Sequence, residues 1–235
     1  MLLLSKSRFA FILFLLTLIP ITLAGLENPS HESTLDALVK QAPTIEPRAL
    51  RMALTALHRL QAASVKVRLD RLMLIDYSRP SSEPRLWIFD LNLKRLLFEE
   101  PVAHGRNSGG DRSTQFSNEP GSLMSSLGVF LTADTYIGKH GLSLRLRGME
   151  KGINDQSMER GIVIHAANYV HRGGRIGRSW GCPAVRPAIS TALIESVRDG
   201  AMLLSYYPER SRLEVSKLGG MFNPASVIDD WSVSH

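Results

Sequence analysis

The stretch GIVIHAANYVHRGGRIGRSWGCP, residues 161–183, decides how this chain folds and what chemistry it can carry. It opens with an apolar run typical of a strand, which ends at His165. A loop rich in glycine and arginine follows, and a turn of small residues then presents Cys182, the only cysteine in the chain. Cys182 lies seventeen positions after His165, and a loop of that length can fold back. We therefore expect the two side chains to meet.

A thiol beside an imidazole predicts nucleophilic catalysis. The thiolate is the attacking form, and a cysteine with an ordinary pKa of about 8.5 supplies little of it at neutral pH. A histidine within hydrogen-bond reach takes the proton and later returns it to a leaving amine. Gly181 removes steric bulk beside Cys182, and we expect the N–H groups of both residues to face a developing oxyanion. A buried structural thiol is the competing interpretation, and the polar, glycine-flanked setting argues against it.

Short apolar or alternating runs, separated by clusters of turn-forming residues, precede the cysteine and predict a mainly β domain over residues 66–210. The predicted strands cover residues 72–75, 86–89, 96–98, 128–131, 142–146 and 161–164. After the cysteine we predict a short helix over 188–197 and a closing strand over 201–206. Residues 211–235 are interpreted as a tail.

The N-terminal part of the chain has a helical pattern. Ser33 with Asp36 three positions later resembles a capping box at the start of one helix. Pro47 is well placed to open a second helix, which carries a leucine stripe on one face. Residues 25–65 are therefore predicted to form a short helical extension that packs on the β domain.

The first residues are typical of a secretory signal peptide. Lys6 and Arg8 precede an apolar run over 9–19, and small residues ending at Ala24 supply a cleavage site. We expect residues 1–24 to be removed and the protein to be exported to the periplasm or cell envelope. An uncleaved segment, which would tether the protein to the membrane, is the alternative. No cysteine follows the run, so no lipid anchor is expected.

The charge and the cysteine count narrow the class of protein. The formal net charge is +6, but acidic residues nearly balance basic ones and no basic block is present, so nucleic acid is not an expected partner. A single cysteine forms no intrachain disulfide. A lone thiol in an oxidising compartment is open to oxidation unless it is buried or has a function. Cys182 is therefore again a candidate functional residue.

The sequence resembles a known family at these positions. His165 followed by Ser179-Trp180-Gly181-Cys182 is similar to the His…Ser-x-Gly-Cys signature of L,D-transpeptidases, whose catalytic domain is called YkuD-like. The resemblance covers roughly residues 66–207 and extends to a branch of murein L,D-transpeptidase catalytic-domain proteins. The further stretches that carry it are residues 103–108, 125–128, 140–144 and 181–185.

The resemblance implies a fold and a reaction. The fold would be a β-sandwich or barrel. Cys182 would attack the carbonyl of the third residue of a peptidoglycan stem tetrapeptide, expel D-alanine, and pass the thioester to an amine of another stem or to water. His165 would act as base and then acid, with the Ala166 carbonyl orienting its ring. Amides from Trp180 to Cys182 would form the oxyanion hole, and Ser179 would shape the turn. No cofactor and no metal are implied.

Two departures from the family pattern concern substrate contacts. The wider family has a hydrophobic residue and then arginine directly after the cysteine, whereas this chain has Pro183 and Ala184 and reaches arginine only at Arg186. The residue after the histidine is often glycine or serine, but here it is Ala166. These differences leave the acceptor open.

The arginines of the loop between His165 and Cys182 are candidate substrate ligands. Arg172, Arg175 and Arg178 have forked guanidinium groups that suit carboxylates of a stem peptide. A solvated loop that only keeps the protein soluble is the alternative.

Other functions remain open at this stage. A zinc peptidase would use His104, His140 and His165, but no His-Glu-x-x-His spacing supports it. A cysteine L,D-carboxypeptidase or another amide hydrolase of the cell wall would use the same thiol. A non-catalytic wall-binding module that kept the fold is the third alternative.

The predicted signal peptide yields a first test. We expect the mature protein to begin near Gly25, because the small residues before it fit the cleavage pattern. N-terminal sequencing of protein recovered from the cell envelope checks this, and Met1 on protein from the cytoplasm would contradict it.

Overall fold

A mixed β-sheet organises the chain. The structure is a computed structural model that describes residues 29–208, so the predicted signal peptide and the predicted C-terminal tail lie outside the described residues. The helices in this range are α1 (Pro29–Gln41), α2 (Pro47–Ala62) and α3 (Pro187–Val197). The strands are β1 (Arg68–Asp76), β2 (Leu86–Asp90), β3 (Arg95–Glu100), β4 (Gly128–Gly138), β5 (Gly141–Gly148), β6 (Val163–Ala166), β7 (Ala184–Val185) and β8 (Ala201–Tyr206).

The strands follow the order β3-β2-β1-β8-β4-β5-β6-β7 across the sheet. The pairs β1–β8 and β6–β7 are parallel, and all other neighbours are antiparallel. The predicted mainly β class is therefore confirmed, and each predicted strand is present. The strand predicted over 161–164 begins later, at Val163, because Gly161 has a positive φ of 63° and lies in a turn.

The two edges of the sheet approach each other and nearly close a barrel. Just after β3, the Ala103 N–H donates to the carbonyl of Ala184 in β7 at 2.9 Å. The side chain of Glu100 at the end of β3 accepts two hydrogen bonds from Arg186, at 2.7 and 2.8 Å. The Glu100 carboxylate is only 4% exposed, so this ion pair joins the first and last strands of the sheet order through a largely buried contact.

Both faces of the sheet are covered. Leu72 and Leu74 of β1 pack in a cluster with α1 and α2, whereas Met73 and Ile75 point to the opposite face, in a cluster with α3. Because successive side chains of a strand alternate between faces, a strand that is covered on both faces has a continuous run of apolar residues in its sequence. This explains the unbroken run Leu72-Met73-Leu74-Ile75 in the sequence.

The two N-terminal helices pack on the outer face of the sheet. Pro47 opens α2 as expected, and Leu50 and Leu57 on its inner face are buried. The predicted start of α1 is wrong, because the helix already includes Pro29, so Ser33 lies within it and does not cap it. None of the helices within residues 29–208 combines the length and apolar character needed to cross a bilayer.

The ion pair that closes the sheet yields a stability prediction. Two arginines hold the pKa of Glu100 below its ordinary value against the effect of burial, so its charged form stabilises the fold. Glu100→Gln should lower the free energy of unfolding at pH 7 by about 2–3 kcal/mol, since it leaves partly buried arginines unpaired. Urea unfolding measures this.

A matched control is Glu83→Gln, whose carboxylate pairs with Arg79 but is 53% exposed. That variant should change stability by less than about 0.5 kcal/mol. Because the folded pKa of Glu100 is depressed, its contribution is present above the ordinary glutamate pKa of about 4.3 and is lost as the pH falls below it. Equal losses in both variants at pH 7 would contradict the closing role of Glu100.

Candidate active site

Ser179 closes the turn that presents the thiol. Its hydroxyl donates to the Cys182 carbonyl at 2.6 Å and accepts from the Gly181 N–H at 3.1 Å. The Ser179 N–H donates to the carbonyl of His104 at 2.9 Å, and its carbonyl accepts from the Arg106 N–H at 2.8 Å. Ser179 is buried, and the turn is held both by its hydroxyl and by backbone hydrogen bonds to the loop that contains His104 and Arg106.

Gly181 is required by the shape of this turn. Its φ is +126°, and a Cβ built there would lie 2.8 Å from the carbonyl oxygen of Met124. The expectation that its N–H faces an oxyanion is wrong in this geometry, because that N–H is bonded to Ser179. The Trp180 amide has no acceptor among residues 29–208 and remains available, together with the amide of Cys182.

The Cys182 thiol lies at the start of β6. Its Sγ donates to the Gly161 carbonyl over 3.6 Å, and the side chain is partly exposed. Burial raises the pKa of the thiol above its ordinary value, while the Val163 N–H and the positive charge of Arg160 oppose that rise. The net direction is upward, so the resting thiol is protonated at neutral pH.

His165 is held in one orientation and is neutral at rest. Its Nδ1 lies 2.8 Å from the Ala166 carbonyl, the contact that the family resemblance implies. Because a carbonyl only accepts, Nδ1 carries the hydrogen and Nε2 keeps a lone pair. Burial lowers the pKa of His165, the hydrogen bond to the Ala166 carbonyl opposes this, and the neighbouring His140 and Lys139 lower the pKa further. The imidazole is therefore neutral at pH 7 and suited to accept a proton.

The tip of the β4–β5 hairpin forms a wall beside His165. Lys139 and His140 are the two loop residues between the paired Gly138 and Gly141. The His140 ring stacks on the His165 ring, with 4.4 Å between centroids and 28° between planes. The Lys139 ammonium lies 5.3 Å from the Trp180 ring centroid. This role for His140 was not predicted from the sequence, where the only signal is its position between two predicted strands.

His165 lies on β6 and Cys182 lies just before the neighbouring strand β7, with no hydrogen bond between them. His165 pairs with Ala184 in parallel register, and Cys182 comes two residues earlier, an offset of roughly 6.6 Å along a strand. The expected hydrogen bond between thiol and imidazole is absent from residues 29–208, because Sγ is bonded to Gly161 instead. Catalytic hydrogen bonds often form only when substrate binds, and rotation of the Cys182 side chain changes where Sγ points.

The residues after the cysteine have structural roles that explain the departure from the family pattern. Ala184 is fully buried where β7 meets β6 and the segment after β3, so this position accepts only a small side chain. Arg186 lies beyond β7 and forms the ion pair with Glu100. Its guanidinium therefore closes the sheet and is not presented to the thiol.

The loop arginines are largely committed to the protein itself. Arg172 donates to the carboxylate of Glu100 and to the carbonyl of Glu99. Arg178 donates to carbonyls of its own loop and of Gly110. Both guanidinium groups thus stabilise the loop, Arg175 is exposed, and substrate contacts of the three arginines stay a prediction.

His104 stabilises the loop that supports the nucleophile turn. Its Nδ1 lies 2.7 Å from a guanidinium nitrogen of the buried Arg85, and its Nε2 lies 3.2 Å from the Gly109 carbonyl. Burial and the nearby Arg85 lower the pKa of His104 to about 3. Both ring nitrogens are engaged, so His104 does not join His140 and His165 as the zinc-peptidase alternative requires. No three potential metal-binding side chains cluster within residues 29–208.

Trp180 is placed on the surface of the turn. Its side chain is 68% exposed, so it does not pack beneath the turn. Ile137 in the β4–β5 hairpin is also exposed, at 77%.

Comparisons with known proteins identify a family. A family model described as the L,D-transpeptidase catalytic domain matches residues 41–206, which is more than half of the chain. No curated protein matches the chain. Several solved structures do, although their identities and TM-scores are low.

The chain is 14% identical to the helical cell shape determining protein Pgp2 from Campylobacter jejuni, with a TM-score of 0.41 and coverage of 65% of this chain and 55% of that one. It is 12% identical to an L,D-transpeptidase from Mycobacterium smegmatis, with a TM-score of 0.37 and coverage of 59% of each chain. It is 13% identical to an L,D-transpeptidase from Stackebrandtia nassauensis, with a TM-score of 0.36 and coverage of 74% and 76%. The chain spans less than two thirds of the first two structures.

The electrostatics of the thiol predict its reactivity. Alkylation of Cys182 by iodoacetamide should keep accelerating above pH 8.5, because burial raises the thiol pKa and only the thiolate reacts. Mass spectrometry of samples quenched between pH 6 and pH 10 (a range that brackets the ordinary thiol pKa of about 8.5) measures the rate, with N-acetylcysteine as reference. A rate plateau at neutral pH would indicate a stable thiolate–imidazolium pair and contradict the neutral resting state.

Proposed function

This chain belongs to the L,D-transpeptidase catalytic-domain family, and from that premise we propose that it is a cysteine peptidyltransferase of peptidoglycan stem peptides. The observation that carries the proposal is the pairing of β6 with β7. It sets a neutral, oriented imidazole on one strand beside a partly exposed thiol just before the next strand. The exposed Trp180 ring lies in the same turn as the thiol and offers an apolar surface to a substrate.

The proposed acylation begins with a proton transfer. When a stem peptide displaces the thiol from the Gly161 carbonyl, Cys182 rotates toward His165 and the Nε2 lone pair takes its proton. Sγ then attacks the carbonyl carbon of the third stem residue, and the oxygen of that carbonyl becomes an oxyanion. The amides of Trp180 and Cys182 stabilise the oxyanion, since they are the turn amides not used by Ser179.

The tetrahedral intermediate then collapses. The bond between the carbonyl carbon and the nitrogen of the terminal D-alanine breaks, and His165 gives its proton to that nitrogen. D-alanine leaves, and the acyl group remains as a thioester on Cys182. His165 then removes a proton from an amine of a second stem, or from water, as that nucleophile attacks the thioester carbonyl. The carbon–sulfur bond breaks, and His165 returns the proton to Sγ, which regenerates the thiol. Transfer to an amine makes a cross-link, whereas transfer to water trims the stem.

A protonated resting thiol suits an exported enzyme. The thiolate is the form that oxidants attack, so a raised thiol pKa protects Cys182 while no substrate is bound. The thiol becomes reactive only when His165, the oxyanion donors and the substrate carbonyl are assembled. We propose that the segment 1–24 directs the protein to the cell envelope, where peptidoglycan lies.

Substitution of the two proposed catalytic side chains tests the mechanism. Cys182→Ala should fold and lose all turnover of purified tetrapeptide muropeptides, and His165→Gln should reduce acylation by on the order of a hundredfold or more. Mass spectrometry of the products measures both. His58→Gln on the exposed face of α2 is the matched histidine control and should retain full activity. Turnover by Cys182→Ala would end the thioester mechanism, and an unchanged rate in His165→Gln would place the base elsewhere.

A further inference from the structure

Arg160 places a positive charge beside the nucleophile turn. It directly precedes Gly161, whose carbonyl accepts the thiol hydrogen bond. A Cβ built on Gly181 would lie 3.4 Å from a terminal nitrogen of the Arg160 guanidinium. The charge is close enough to lower the pKa of the Cys182 thiol, against the stronger effect of burial.

The guanidinium is fixed by neutral groups alone. One terminal nitrogen donates to the Ser117 carbonyl at 2.8 Å and to the Ser126 hydroxyl. The other donates to the Met124 carbonyl at 2.7 Å and to the Ser122 hydroxyl at 3.2 Å. These acceptors hold the group in place but leave its charge uncompensated.

No carboxylate balances this charge at close range. Within residues 29–208 no acid lies within ion-pair distance of Arg160, and Glu119 attracts it only from further away. By contrast, Arg172 and Arg186 share Glu100. A half-buried cation held without a counter-ion is costly, and an anionic ligand would offset that cost.

Two hydrogen-bond donors remain beside this charge. The Nε–H of Arg160 has no acceptor among the described residues, and it is accessible to solvent. The Ser122 hydroxyl accepts from Arg160 and, at 3.5 Å, from the Met124 N–H, so its own hydrogen is available to a ligand. A permanent cation with two free donors matches a carboxylate.

We propose that Arg160 and Ser122 form a subsite for the free C-terminal carboxylate of the donor peptide. The inference rests on the proposed function, in which the leaving residue is the terminal one. Its carboxylate carbon is three bonds from the scissile carbonyl carbon, a span of at most about 4 Å. With that carbonyl at Cys182 Sγ, the carboxylate lies near the thiol, on which the Arg160 charge acts. Donors that end in a free carboxylate are therefore preferred over donors whose end is blocked.

The test compares two donors in several variants. The donors are a stem tetrapeptide with a free terminal carboxylate and the same peptide with a terminal carboxamide. Wild-type protein should favour the carboxylate in kcat/KM by about tenfold to a hundredfold, the range of a charge-assisted hydrogen bond. Arg160→Gln should bring the ratio close to one, and Ser122→Ala should reduce it several-fold. Arg198→Gln, which removes an exposed arginine at the end of α3, should keep the wild-type ratio.

The outcomes separate the subsite from the proposed function. Wild-type turnover of neither donor would contradict the proposed function and the subsite with it. Turnover of both donors with no preference, or a preference that persists in Arg160→Gln, would overturn the subsite alone. If circular dichroism shows that Arg160→Gln does not fold, Arg160→Lys and Ser122→Ala decide: an unchanged ratio in both overturns the assignment.

Discussion

The parallel pairing of β7 with β6 is the contact on which the rest of the site depends. It is two residues long, yet it fixes His165 opposite Ala184 and so sets the distance between the imidazole and the thiol. The pairing persists because β7 is enclosed: Ala103 bonds to Ala184 from the other side, and Arg186 is anchored to Glu100 at the far edge of the sheet. The same contacts therefore close the barrel and set the geometry of the site. They enclose position 184, which explains why a small residue occupies it.

The local elements could be predicted from the sequence because their signals are local. Alternation and turn residues identified β1 to β6 and β8, and Pro47 marked the start of α2. The two-residue β7 has no such pattern, since Ala184 and Val185 form a strand only through tertiary contacts. The candidate site was predicted from the motif around Cys182. The partner of Arg172 and Arg186 was not predicted, because Glu100 lies more than seventy positions away from both in sequence. His140 and Arg160 lie outside the motif and reach the site only through strand pairing and loop packing.

The surroundings of the site keep the thiol and the imidazole neutral at rest. Burial disfavours both the thiolate and the imidazolium, and the cationic hairpin tip disfavours the imidazolium further. Arg160 is the permanent cation, and it acts on the thiol while its own hydrogen bonds go to neutral groups. In the proposed mechanism this arrangement delays ionisation until a substrate is present, and it places positive potential where negative charge would enter or develop. The serine-rich loop 117–126 links these functions, because it anchors Arg160 and supports the Gly181 carbonyl through Ser125.

The central claim is that catalysis passes through a thioester on Cys182, and trapping that thioester tests it most directly. Wild-type protein is incubated with a disaccharide tetrapeptide in the absence of an acceptor amine, quenched in acid within its first turnover, and analysed by intact-protein and peptide mass spectrometry. The account predicts an adduct equal to the donor minus D-alanine, located on the peptide that contains Cys182. An adduct on another residue, or release of D-alanine with no adduct on Cys182 at any quench time, would contradict it.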